Sequence, residues 1–85
     1  MKSIEEVEKH LIILDATIRA CVDLYQENSS LCKHSEYAMA ILLWILEFGT
    51  DKEQVNQKID ELEQKYFNLY DITYKDTVSG LSQYT

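Results

Sequence analysis

The sequence contains no proline and only two glycines among its 85 residues. These two residue types most often end helices and form tight turns, so their scarcity argues against a turn-rich β fold. Long, uninterrupted helices are expected instead. Because a chain of this length has room for one small hydrophobic core, we interpret residues 1–85 as a single all-α domain.

Cysteine is also scarce, since only Cys21 and Cys32 are present. Two irregularly placed cysteines do not form the disulfide scaffold of a small secreted protein, and reduced thiols in a cytoplasmic protein are expected. The start of the chain is charged rather than apolar, which is unlike a signal peptide. The most apolar stretch is about half of the ~20 residues that a membrane-spanning helix needs. We therefore expect a soluble, cytoplasmic protein.

Basic residues are few, because eight Lys and Arg face fifteen Asp and Glu, for a formal net charge of −7. This charge repels phosphate groups, so direct binding to nucleic acid or to an anionic membrane is not expected. There is no glycine-rich phosphate loop, and the pair Cys32 and His34 lacks the further ligands that structural zinc needs. No nucleophile has a base and an oxyanion hole placed beside it. We expect no enzyme activity, no metal and no cofactor.

The most informative stretch is residues 37–48, in which eleven of twelve residues are apolar and only Glu47 is charged. Ala, Met and Leu favour helix, and Gly49 stands where a C-terminal cap is expected. A helix that is apolar around its whole circumference must be covered by its own chain, by a second copy or by another protein. This helix is predicted to be the central element of the fold.

Capping residues and apolar periodicity predict a three-helix bundle. Ser3 and Glu6 form a capping box for the first helix, and Thr50 and Glu53 form one for the third, which is coiled-coil-like. The three helices are expected at about 4–27, 31–48 and 51–74.

Three further expectations concern the connections and the end of the chain. The second helix begins at either Ser30 or Ser35, and both remain open because both are plausible N-caps. The short turn at Gly49 predicts that helices two and three form an antiparallel hairpin. Residues 75–85 lose the helical pattern and are expected to be a frayed or disordered tail, although they could instead dock in a groove.

Two sets of apolar side chains are predicted to form an interaction surface. Aromatic residues of the third helix share one broad face, and tyrosine is enriched at binding hot spots. They could alternatively cover the junction of the first two helices. The predicted surface consists of Met39, Leu42, Leu43, Trp44, Leu46, Tyr66, Phe67, Tyr70 and Tyr74.

The sequence favours a small, acidic, non-enzymatic protein–protein interaction module that self-associates, as a homodimer, or binds another protein as an adaptor or inhibitor. One alternative is a monomer whose own helices wrap the second helix completely. Another is an inhibitor of the kind found in phages and mobile elements, which uses its acidic face to mimic nucleic acid against a basic enzyme. Mimicry needs dense rows of carboxylates, and Lys52, Lys58 and Lys65 interrupt them on the third helix.

Overall fold

The computed structural model describes residues 3–49 and 51–83, which form four α-helices and no strand. The all-α class predicted from the sequence is confirmed, but the prediction of three helices is wrong. The third predicted helix is divided in two, and the second of these continues into the predicted tail. The helices are α1 (Ile4–Asp23), α2 (Ser30–Ile45), α3 (Lys52–Lys65) and α4 (Phe67–Ser82).

Helix α1 is the central element, because within the described ranges it alone lies against all three other helices. The prediction that the second helix is central is therefore incorrect. Helix α1 can hold this position because residues on several of its sides are apolar or small, and Leu11, Ile12, Ala16 and Ala20 have no exposed surface. Helices α2 and α4 pack along it, and α3 contacts it over a shorter length.

Helix α1 ends at Asp23 rather than near residue 27, because Tyr25 adopts a left-handed conformation with φ of 58°. The Gln26 N–H donates to the Cys21 carbonyl at 2.7 Å, and the Tyr25 N–H donates to the Val22 carbonyl at 3.0 Å. These two bonds form a Schellman motif, which satisfies carbonyls that the last turn would leave without partners.

Helix α2 ends in the same way, at Ile45 rather than at residue 48. Glu47, with φ of 55°, is the left-handed residue, and the Phe48 N–H donates to the Leu43 carbonyl at 3.3 Å. Gly49 also has a positive φ, of 89°, but it lies two residues beyond this cap. The predicted cap position was therefore displaced by two residues.

The N-termini of α2 and α3 are capped by side chains that immediately precede them. Ser29 caps α2 by accepting from the Cys32 N–H at 3.2 Å, so the helix starts at Ser30. Asp51 caps α3 by accepting from the Glu53 N–H at 3.0 Å. The predicted cap residue Thr50 lies outside the described residues.

The predicted hairpin between the second and third helices is not formed. Within residues 3–49 and 51–83, no Cα atom of α2 lies within 8 Å of a Cα atom of α3. The connection spans residues 46–51 rather than a couple of residues, so α3 can turn away from α2. The Lys58 Nζ of α3 lies 5.1 Å from the centre of the Phe48 ring, which belongs to the connection rather than to α2.

A break at Tyr66 separates α3 from α4, where a single helix over 51–74 was predicted. Tyr66 leaves the helical conformation, with φ of −114° and ψ of 38°, and its hydroxyl donates to Glu8 Oε1 at 2.9 Å. The Lys65 Nζ lies 3.4 Å from the same oxygen. The break therefore coincides with a polar link to α1. Beyond it, α4 reaches Ser82, so the prediction that the tail after residue 74 is frayed is wrong for its described part.

Candidate protein interaction surface

The side of α2 that faces away from α1 is apolar and uncovered. Tyr37, Ala40, Ile41, Trp44 and Ile45 are spaced by three and four residues or adjoin one another, which places them on one side of the helix. All five are exposed. We call these five residues the α2 outer face.

The opposite side of α2 packs against α1 and the core. Cys32 and Ser35 are buried there, and further along the helix four larger side chains pack against a core cluster of Leu11, Ile12 and Leu62. These four are Met39, Leu42, Leu43 and Leu46, the last of which is the C-cap residue directly after Ile45. Helix α2 is thus apolar on both sides, and its own chain covers one of them.

The exposed fractions of the outer-face side chains are large. Trp44 is 80% exposed, Tyr37 72%, Ile41 57% and Ile45 51%. Large side chains present on the order of 150–250 Å² each, so these fractions leave roughly 500 Å² of apolar surface uncovered. That area lies towards the upper end of what the largest patch on a soluble monomer usually presents, and patches of this size are often functional.

Charged residues lie only towards the two ends of the outer face. Lys33 stands near the N-terminal end, where its Nζ lies 3.9 Å from Glu36 Oε2. Glu47 is exposed beyond the C-terminal end, beside a shallow pocket lined by Leu43, Trp44, Ile45, Glu47 and Gly49. The middle of the face therefore has no charge that would oppose apolar packing.

The structure separates the residues predicted to form the interaction surface. Of the five on α2, only Trp44 belongs to the outer face, since Met39, Leu42, Leu43 and Leu46 pack against the core. The sequence prediction did not include the outer-face residues Tyr37, Ala40, Ile41 and Ile45. Their three-and-four spacing was visible in the sequence, but the sequence did not show which side of α2 is covered by α1.

The predicted aromatic cluster is also divided. Tyr66 and Tyr70 pack against the core, and the Tyr74 hydroxyl donates to Asp23 of α1. The rings of Tyr70 and Tyr74 are stacked, with centres 6.5 Å apart and planes 6° apart. Phe67 is 62% exposed. Tyr70 and Tyr74 thus attach α4 to the rest of the domain.

An acidic pair that the sequence did not predict lies where α1 meets α3. Asp15, four residues before Arg19 on α1, is only partly exposed. Its pKa is raised from 3.8 to about 8, mainly by burial and then by the Glu63 carboxyl, against which Arg19 acts in the opposite direction. Among the described residues, no N–H or O–H group reaches the buried Asp15 Oδ2. A hydrogen bond to Glu63 therefore requires a proton on one of the two carboxyls.

Both cysteines are buried between α1 and α2. Cys21 is on the core side of α1, and Cys32 lies in the first turn of α2. Burial, assisted by neighbouring Cys21 and Glu36, raises the pKa of the Cys32 thiol to about 11. Cys32 is therefore protonated at neutral pH and is a weak nucleophile.

Three other features bear on function: metal sites, membrane-spanning segments and rows of carboxylates. Across residues 3–49 and 51–83, no three His, Cys, Asp or Glu side chains come together as a metal site. No described helix combines the length and the apolar character needed to cross a membrane. On α3 the exposed carboxylates of Glu53 and Asp60 alternate with exposed Lys52 and Lys58, which does not favour nucleic-acid mimicry.

Comparison with profiles of protein families, with curated protein sequences and with solved structures finds no match. The inference of function therefore depends on the surface itself.

Proposed function

We propose that this chain is a protein–protein interaction module that binds through the α2 outer face and acts by occupying a protein surface rather than by catalysis. The observation that supports this proposal is the 80% exposure of Trp44 on an apolar face whose middle carries no charge. Tryptophan is the residue type most enriched at binding hot spots, together with tyrosine and arginine. An adaptor and an inhibitor would use the face in the same way.

The energetics of covering this face are favourable. A partner that covers roughly 500 Å² with an equal apolar area removes about 1,000 Å² from water, which gives about 25 kcal/mol gross at ~25 cal/mol per Å². Association costs on the order of 4–15 kcal/mol in lost translational and rotational freedom. The difference between these free energies supports a specific complex, even after the cost of ordering side chains at the interface has been subtracted.

The chemistry of the face indicates the class of partner. The net charge of −7 opposes contact with phosphates or anionic lipid, whereas a flat helical face with three-and-four spacing fits an apolar helix or groove. The partner is therefore expected to be a protein that presents an apolar surface.

Photo-crosslinking tests this proposal directly. A photoreactive amino acid is placed at position 41 of α2 or, as the control, at position 72 of α4. Ile41 and Ile72 are the same residue type with matched exposure, 57% and 58%, on different helices. The proposal predicts covalent protein adducts from position 41 in cells of the natural source and few from position 72. Equal yields from the two positions, or no adduct from position 41, would contradict it.

A further inference from the structure

We propose that the occupant of the α2 outer face is the α2 outer face of a second copy of this chain, with the two helices antiparallel about a two-fold axis near Ala40 and Ile41. This inference rests on the proposed function and specifies the partner. It yields an isologous dimer, in which both copies use the same surface.

The order of residue sizes along the face makes it self-complementary. The small Ala40 lies between the large side chains of Tyr37 and Trp44. In an antiparallel pair centred between residues 40 and 41, Tyr37 of one copy lies opposite Trp44 of the other, and Ala40 lies opposite Ile41. A small side chain opposite a larger one lets the two helices approach closely and interdigitate.

The charges at the ends of the face favour the antiparallel direction. Lys33 stands near one end and Glu47 near the other. Two antiparallel helices bring Lys33 of each copy towards Glu47 of the other, and also towards the negative C-terminal end of that helix. Two parallel helices would place Lys33 beside Lys33 and Glu47 beside Glu47. Like charges that meet in this way oppose the parallel arrangement.

The area available is close to what a stable dimer needs. Two faces of roughly 500 Å² bury about 1,000 Å² from the apolar side chains, and the flanking polar residues add to this. Specific interfaces bury about 1,200–2,000 Å² in total, and smaller ones are usually transient. A reversible dimer with a dissociation constant in the micromolar range is therefore expected.

Trp44 supplies a local reporter, because it is the only tryptophan in the sequence. Sedimentation velocity and acrylamide quenching of its fluorescence are measured from about 0.1 to about 100 μM, a range that brackets a micromolar dissociation constant. With increasing concentration, the mass should rise from 10.0 kDa towards twice that value. Over the same range, Trp44 should become protected from acrylamide.

Matched variants connect the dimer to this face. Ile41→Glu should raise the dissociation constant by at least ~30-fold, the effect of removing a hot spot, whereas Ile72→Glu should leave it unchanged. Trp44→Ala should weaken the dimer similarly. Because this variant lacks the tryptophan reporter, its association is followed by mass alone. Circular dichroism checks that each variant keeps its helix content.

Charge reversal tests the direction of the helices. Lys33→Glu and Glu47→Lys should each weaken the dimer, and the double variant should recover most of the loss because the two charges are exchanged. Additive losses would contradict the antiparallel arrangement, since the two positions would then not face each other.

The possible failures separate the dimer from the proposed function. A monomer at every concentration in which Trp44 is quenched freely overturns the dimer but leaves the face open to a different protein. A monomer in which Trp44 is protected overturns both, because the chain itself then covers the face. A dimer in which Trp44 stays accessible overturns the inference, since the copies then associate through another surface.

Discussion

Replacement of Asp15 by Asn tests the acidic pair between α1 and α3. In the folded chain the pKa of Asp15 is raised from 3.8 to about 8, so between these values the folded state holds more protons than the unfolded state. The free energy of unfolding therefore falls as pH rises through this range. The side-chain amide of the Asp15→Asn variant would resemble the protonated carboxyl and could donate to Glu63 at any pH, so the variant should lose this part of the pH dependence.

The magnitude of the effect follows from the change in pKa. The change from 3.8 to about 8, at about 1.4 kcal/mol per pKa unit, gives roughly 6 kcal/mol if no solvent screens the carboxyl. Asp15 is only partly buried, and solvent screening reduces this to about 1–3 kcal/mol. Asp15→Asn should therefore be close to the parent chain in stability at about pH 4, near the unfolded-state pKa, and gain about 1–3 kcal/mol over it at about pH 8.5.

Urea unfolding followed by circular dichroism measures this difference. All samples need one protein concentration, because any association contributes to the apparent stability. The control is Asp71→Asn, which removes a partly exposed carboxylate paired with Lys75 at 3.0 Å. The control should leave the slope of stability against pH between about 4 and 8.5 almost unchanged. If Asp15→Asn gave the same difference from the parent at both pH values, the reasoning about the Asp15 proton would be refuted.

Four other substitutions and one control test the fold by urea unfolding under the same conditions. Tyr25→Gly and Glu47→Gly should each stabilise the domain by ~1 kcal/mol, because glycine adopts positive φ without steric cost, and a loss would argue against left-handed caps. Ile12→Ala should cost ~2–5 kcal/mol. Its control, Ile4→Ala, replaces a side chain that is 71% exposed and should change the free energy of unfolding by less than ~0.5 kcal/mol. Equal effects would place Ile12 outside the core. Tyr66→Phe should cost ~0.5–1.5 kcal/mol by removing the 2.9 Å hydrogen bond to α1, and no change would show that this bond does not stabilise the break.

The local signals in the sequence predicted much of the helical structure. The Ser3 side chain accepts from the Glu6 N–H at 3.2 Å, as the capping box implied. The ends of α1 and α2 were predicted less well, since the left-handed residues there are Tyr25 and Glu47 rather than glycine or asparagine. Tyr66 interrupts the predicted third helix without proline or glycine. The contact of Tyr66 with Glu8 joins positions that are 58 residues apart, which local periodicity does not report.

The position of α1 explains the errors in the predicted core and surface. Two apolar seams are visible in the sequence of α1, which indicates two neighbours, and Ile12 and Asp15 lie outside both seams. Because α1 has three neighbours, Ile12 is buried and Asp15 is only partly exposed. The apolar excess of α2 was visible in the sequence. Which residues form its outer face depends on the side that α1 covers, and that is tertiary information.

The central position of α1 also affects the rate of folding. Helices α1 and α2 are joined by a short connection and can pair early. By contrast, the contacts that Tyr66 and Tyr74 make with α1 join positions separated by 58 and 51 residues. Isolated helices form within about a microsecond, while contacts distant in the sequence require a large loop to close first. We therefore expect the closure of that loop to be slower than the formation of any single helix.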